Sequence, residues 1–283
     1  MRIFSERKGI KPVKSSIQTD FVDEVTRNRL WDAVTVHYWQ RMTHSWISEQ
    51  PEIMTLITRI WHLFFKKPID TIDDYWKNTL KELREYFFHC KWNEVYDFVE
   101  FIANNYPDDS VNREFTEFCN SVLEQELSAY RFVGGRITEI TAKEEIAEIE
   151  EALETPMKTV NEHLKTALGL LVDRKSPDYR NSIKESISAV ESICKLITRN
   201  PNLTLDDALD VIERENKVKI HPALKRAFGS LYGYTSAAEG IRHGLSDEPS
   251  LYFEDAKFML VSCSGFVNYL VAKSSKAGIA LGK

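Results

Sequence analysis

Apolar residues recur at three- and four-residue spacing along most of the chain, which is the period of an amphipathic α-helix. The first such stretch opens at Asp20 and carries Phe21, Val25, Leu30, Trp31, Val34 and Tyr38. A second follows Pro51, with Ile53, Leu56, Ile57, Ile60, Trp61 and Phe64 on one face, and Pro68 stops it. Thr71-Ile-Asp-Asp74 reads as the N-cap signal of a third, which carries Tyr75, Leu80, Leu83, Phe87 and Phe88. A fourth is expected over about 92–103, ending before Pro107, and a fifth over about 111–126. All six tryptophans fall in this region and read as core and interhelix packing. Residues before Asp20 read as an irregular arm, broken by Gly9 and Pro12, with Lys8, Lys11 and Lys14 solvated.

One segment has the two-residue period of a strand. Tyr130-Arg-Phe-Val-Gly-Gly-Arg-Ile-Thr-Glu-Ile140 sets two β-prone runs around Gly134-Gly135, and adjacent glycines supply the two positive φ angles of a type I′ hairpin turn. A two-stranded hairpin is marginal alone, so it must lean on a helical neighbour and marks a seam in the chain. Thr141-Ala-Lys-Glu144 reads as a capping box opening a short helix to about Glu154.

Beyond it the helical period resumes. Thr155-Pro156 precedes a helix with Val160, Leu164, Ala167, Leu168 and Leu171 on one face, and Ser176-Pro177 one with Ile183, Ile187, Val190, Ile193, Cys194 and Ile197. Thr204-Leu-Asp-Asp207 caps a shorter helix with Ala208 and Ile212, and His221-Pro222 starts another with Leu224, Phe228 and Leu231. Gly229, Gly233 and Gly240 interrupt the stretch that follows. A last helix carries Ala256, Met259, Cys263, Phe266, Val267 and Leu270. The expected organisation is mainly α: a helical module over 1–126, the hairpin and connecting helix over 127–154, and a helical bundle over 155–283.

Composition narrows the function classes. The chain has 283 residues, with 37 basic against 43 acidic and a formal net charge of −6, which excludes a generally basic nucleic-acid coat but not a local basic site. Four cysteines, none in a Cys-x-x-Cys pair, give no disulfide framework and no zinc constellation, so a reducing cytoplasm fits. The N-terminal charge cluster has no apolar stretch behind it and is not read as a signal peptide. The most apolar run, 258–272, contains Ser262, Ser264 and Asn268 and reads as a buried helix rather than a membrane span. Phosphate-binding and dinucleotide-binding glycine loops, His-Glu-x-x-His and Gly-x-Ser-x-Gly are all absent, so no cofactor is expected.

Histidine with arginine is the remaining chemistry. A neutral imidazole takes the proton of a ribose 2′-hydroxyl, and a guanidinium binds the phosphate that the resulting oxygen attacks. Arg84 and His89 diverge by about 140° on a continuous helix, which speaks against them. Arg214 and His221 bracket a helix end with Lys217 and Lys219, a strip suited to phosphate contact, although His221-Pro222 also reads as a helix start. Gly240-Ile-Arg-His-Gly244 is the sharpest feature, because glycines on both sides let the backbone turn abruptly or approach a ligand. His37, His44, His62 and His163 sit within helical patterns and read as packed or surface groups.

The second half resembles the HEPN superfamily, and more narrowly the HEPN domain associated with AbiJ-type abortive-infection proteins. The resemblance rests on Val160-Asn-Glu-His-Leu-Lys-Thr-Ala-Leu168, Asp178-Tyr-Arg-Asn-Ser-Ile-Lys-Glu-Ser-Ile-Ser-Ala-Val-Glu-Ser192, Gly240-Ile-Arg-His-Gly244 and the run 258–270. The first half is similar to an AbiJ-like N-terminal region. The resemblance implies an up-and-down bundle that dimerises through its C-terminal half. It also implies a metal-independent ribonuclease with His243 as general base and Arg242 as phosphate clamp. Arg180, Glu185, Lys217, Lys219 and His221 are expected to line the RNA. The family's motif puts an arginine ahead of the histidine with four to six residues between them. Here those positions are Ser236, Ala237 and Ala238, and the nearest arginine is the adjacent Arg242. The alternative expectation is therefore a catalytically inactive module that binds a regulatory protein or a nucleotide.

Overall fold

The computed structural model describes residues 4, 8, 17–173, 176–237 and 251–281. It is mostly helical, with one antiparallel hairpin. The chain forms two compact units, 1–141 and 142–283.

Unit 1 holds helices α1 (Glu24–His37), α2 (Pro51–Arg59), α3 (Trp76–His89), α4 (Trp92–Asn105) and α5 (Asp109–Gln125) and strands β1 (Arg131–Val133) and β2 (Arg136–Thr138). The buried stripe of α1 is Thr26, Leu30, Trp31, Ala33 and Val34, whereas Phe21 and Val25 stay exposed. The reason lies just ahead of the helix. Fully buried Gln18 donates to Thr26 Oγ1 and the Glu126 carbonyl, accepts from Asp23 N–H, and forms a parallel bridge with Ser128. The end of the expected arm is thus pinned into the unit, and the first turn of α1 is rotated outward. α2 runs on into a wider π turn, Ile60–Phe64, and the chain leaves the helix at Lys66 (φ 54°), before Pro68 is reached. α3 starts later than the Thr71 signal. Asp74 instead holds Ser48 through its N–H and hydroxyl, both at 2.8 Å, and Asp73 accepts from Tyr75 N–H.

Three tryptophans, Trp31, Trp39 and Trp61, are buried in the core of unit 1 with Phe87, Phe98 and Phe115. Trp76 and Trp92 are partly buried against it, but Trp46, expected in the core, is 49% exposed and meets Tyr75 edge-on.

The hairpin turns on Gly134 (φ 53°) and Gly135 (φ 79°), the two positive angles its sequence requires. Phe132 faces Ile137 across it. Helix side chains supply what further strands would. Asn120 donates to the Phe132 carbonyl (2.8 Å) and accepts its N–H (2.7 Å). Glu100 accepts the Ile137 N–H at 2.6 Å, and Asn104 donates to the Gly135 carbonyl at 2.8 Å.

Unit 2 contains α6 (Lys143–Leu153), α7 (Lys158–Val172), α8 (Tyr179–Thr198), α9 (Leu205–Arg214), α10 (Pro222–Ala237) and α11 (Phe253–Lys276). The apolar faces expected for α7, α8 and α11 are all buried. Several starts differ from expectation. α6 has Ala142 at its cap position with no side-chain cap, so Thr141 makes no capping box. α8 is capped by Asp178, which accepts from Asn181 N–H, rather than by Ser176-Pro177. Thr204 caps α9 as its sequence suggests. Gly229 and Gly233 lie inside α10 and do not interrupt it; Gly240 lies outside the described residues. Among the described residues no helix is long and apolar enough to cross a membrane, and the 258–272 run lies within α11 with its apolar positions largely buried.

Asn120→Ala should destabilise unit 1 by about 1–3 kcal/mol, because it strips the Phe132 N–H and carbonyl of their partners. Gly135→Ala should also destabilise, since the new Cβ would carry φ 79° and sit 2.9 Å from Asn104 Oδ1. Urea unfolding of the full chain, followed by tryptophan fluorescence, reads both losses.

Candidate functional site

The two residues expected to carry catalysis, Arg242 and His243, lie outside the described residues, in the connection from α10 to α11. The far side of that connection is firmly started. Asp255 accepts the Tyr252 N–H at 2.9 Å, so the first turn of α11 is closed by a capping box.

The strip between α9 and α10 is occupied by structural bonds. The Lys217 ammonium donates to the Thr198 carbonyl (3.1 Å) and pairs with Glu215 (3.0 Å). It thereby satisfies an end carbonyl of α8 and complements the negative end of that helix. His221 Nδ1 accepts the Ala223 N–H at 3.1 Å, which caps α10 and fixes that nitrogen as the unprotonated one in this bond. Lys219 is exposed, and the exposed Arg214 guanidinium lies 3.8 Å from Glu215. Lys225 on α10 binds both Asp210 (2.5 Å) and Glu213 on α9, and those bonds raise its pKa. Most of the cations at this corner are thus held by carboxylates or carbonyls of the same unit.

Glu185 has a partner that its sequence position did not disclose. Its Oε2 lies 2.6 Å from His163 Nδ1, with both side chains roughly a quarter to a third exposed (24% and 31%). α7 supplies the histidine and α8 the carboxylate. The pair lies beside Ser182, whose hydroxyl donates to the Ala167 carbonyl at 2.8 Å and ties the same two helices. A carboxylate on Nδ1 fixes the ring and leaves Nε2 as the free nitrogen. His163 had read as an ordinary helical histidine. The signal that finds it is register, since His163 and Glu185 face each other only once α7 and α8 are laid antiparallel. Arg180 lies half-buried in the first turn of α8, five positions before Glu185.

The remaining described histidines take ordinary roles. His37 and His89 each place Nδ1 on the carbonyl one turn back, Ala33 at 2.9 Å and Glu85 at 2.7 Å. Arg84 lies over the Phe88 ring at 4.4 Å, on a bearing of its own. No cysteine is poised as a nucleophile. Burial pushes the thiols of Cys194 and Cys263 up to about 12 and raises those of Cys119 and Cys90.

Comparison with known families decides the identity of the first unit. The model of AbiJ N-terminal domain 4 matches residues 2–155, more than half of the chain. The chain belongs to the AbiJ N-terminal domain 4 family. This bears out the AbiJ-like expectation for the first half and associates the protein with abortive-infection defence. No curated protein and no solved structure matches it. The AbiJ family match covers the pinned Gln18 segment, the hairpin and α6, and ends before α7 begins.

In a double-mutant cycle, His163→Ala and Glu185→Ala should show a coupling of about 0.5–1 kcal/mol at neutral pH, the range of a partly exposed charged hydrogen bond. Chemical unfolding of the four proteins measures it.

Proposed function

We propose that this AbiJ-family protein is an abortive-infection effector whose second unit is a HEPN-type, metal-independent endoribonuclease acting as a homodimer. What carries the reading is the join of two things. An AbiJ N-terminal domain precedes a second unit whose described elements are all helices, and Gly240-Ile-Arg-His-Gly244 stands in the sequence shortly before the last of them.

The chemistry follows from the residue types. The neutral His243 imidazole takes the 2′-hydroxyl proton. The freed oxygen attacks the adjacent phosphorus, and Arg242 binds the non-bridging oxygens as their charge grows. The P–O5′ bond breaks and the 5′-oxygen takes up a proton. The products are a 2′,3′-cyclic phosphate and a 5′-hydroxyl, and no metal takes part. Neighbours on a helix point about 100° apart, so Arg242 serves the phosphate of the same or the partner protomer's His243 only from an irregular backbone. Two copies of the motif would flank one RNA groove.

A second reading rests on a specific observation. Ser236, Ala237 and Ala238 stand where the superfamily's spaced arginine would be, which favours a bundle that has lost catalysis and binds a partner protein or nucleotide.

Purified full-length protein with EDTA present should cleave single-stranded RNA to 2′,3′-cyclic ends. His243→Ala and Arg242→Ala should each lower the rate by about a hundredfold or more while leaving the melting temperature unchanged. Cleavage that survives both substitutions overturns the assignment. A wild-type protein that neither cleaves RNA nor arrests growth on expression favours the second reading.

A further inference from the structure

Unit 2 carries a cleft lined by described residues of α7 and α8. It has a volume of about 360 Å³, within the range of small-molecule sites. Its walls are the start of α7 at Thr159 and the last turns of α8, from Ser192 through Lys195 and Leu196 to Arg199, closed by Asn200 and Pro201. Leu196 is 40% exposed there, an aliphatic surface facing open space. The hydroxyls of Thr159 and Ser192 make no hydrogen bond among the described residues.

The charges in the cleft are unequal. Lys195 is bound by Glu191 at 2.6 Å. The Arg199 guanidinium is exposed and has no side-chain partner among the described residues. The first turn of α7 adds its unpaired N–H groups and the positive end of its dipole. The opposing negative end of α8 is offset by the Lys217 ammonium on the Thr198 carbonyl. The result is an apolar wall, two free hydroxyls and one uncommitted guanidinium at the rim.

We infer that this cleft is a binding site for a small organic oxyanion: a flat apolar body on Leu196 and Pro201, with a phosphate, sulfonate or carboxylate group on Arg199. Neither the hydrophobic wall nor the guanidinium alone makes the site selective, and the combination does. The inference does not rest on the proposed nuclease chemistry.

The backbone offers an unusually clean test. Arg199 sits at φ 58°, in the left-handed position after α8. Its N–H donates to the Leu196 carbonyl and that of Asn200 to Lys195, a Schellman closure whose left-handed residue is ordinarily glycine. Arg199→Gly therefore removes the charge and relieves the backbone together, and it should raise the melting temperature by a few degrees. The probe is 1-anilino-8-naphthalenesulfonate, an aromatic sulfonate whose fluorescence rises on transfer to an apolar site. The full-length protein should bind it saturably. Arg199→Gly should weaken binding by about tenfold or more, the worth of one charge-assisted contact. Ser192→Trp, which fills the cleft but keeps the arginine, should weaken it as well. The uncharged N-phenyl-1-naphthylamine should bind far more weakly than the sulfonate. A more stable Arg199→Gly protein that binds the sulfonate as tightly as wild type overturns the proposal, and so does equal binding of the uncharged probe.

Discussion

Burial of α8 is the constraint on which unit 2 depends. Ten of the residues between Tyr179 and Thr198 are buried, and α7, α9 and α11 all pack on that helix. At about 1.5–3 kcal/mol for a fully buried aliphatic side chain, the stripe from Ile183 to Ile197 outweighs any single polar contact in the unit. A helix held this tightly fixes the azimuth of everything it carries. Glu185 is aimed at α7, Lys195 and Arg199 stand at its far end, and Ser182 is close enough to bond the α7 backbone. The small buried residues Ser182, Ser186 and Ala189 let helices approach closely, and the serines return their hydroxyl hydrogens to carbonyls at Ala167 and Ser182.

Unit 1 is governed by a different shortage. Its hairpin exposes backbone groups that no third strand covers, and buried backbone groups without partners are costly. Amide and carboxylate side chains from α4 and α5 fill the gap, and Gln18 does the same for the segment after α5. Buried Arg131 follows this rule too. Its guanidinium donates to the Ser128 and Tyr130 carbonyls, and burial lowers its pKa. Polar side chains in this protein often complete the backbone, so a polar residue in a suggestive place is not thereby a ligand contact.

That habit explains what was legible in the sequence. The faces of α7, α8 and α11 were readable residue by residue, because a 3.6-residue apolar period has few other physical causes, whereas the expected face of α10 is only partly buried. The Gly134-Gly135 turn was readable because positive φ at two successive positions nearly demands glycine. Starts were less so. Several Ser, Thr and Asp residues compete within a few positions, and the one that caps is settled by where the apolar face must begin; hence Asp178 prevails over Ser176. Phe21 and Val25 keep a helical spacing yet face outward, since the anchoring of Gln18 sets the rotation of α1. Trp46 is exposed because the Ser48–Asp74 bonds hold its loop at the surface. The His163–Glu185 pair was invisible for a similar reason. One chain position says nothing about which residue of the next helix will lie opposite it.

An acidic protein that holds a nucleic acid faces the same competition for its polar groups. With a net charge of −6, long-range attraction to RNA is weak, and affinity must come from a few cations with free valence. Several described cations are already spent on carboxylates: Arg29 on Glu126, Lys67 on Glu82, Lys225 on Asp210 and Glu213, Lys257 on Glu145. Lys217, one of the cations the sequence offers for phosphate contact, is tied to a helix end. Releasing such a cation to a phosphate would cost the internal bond it leaves, so its net gain is small. Phosphate affinity would therefore have to come from cations without such internal bonds, of which exposed Lys219 is one among the described residues. By the same accounting, the exposed guanidinium of Arg199 is available to a ligand of its own.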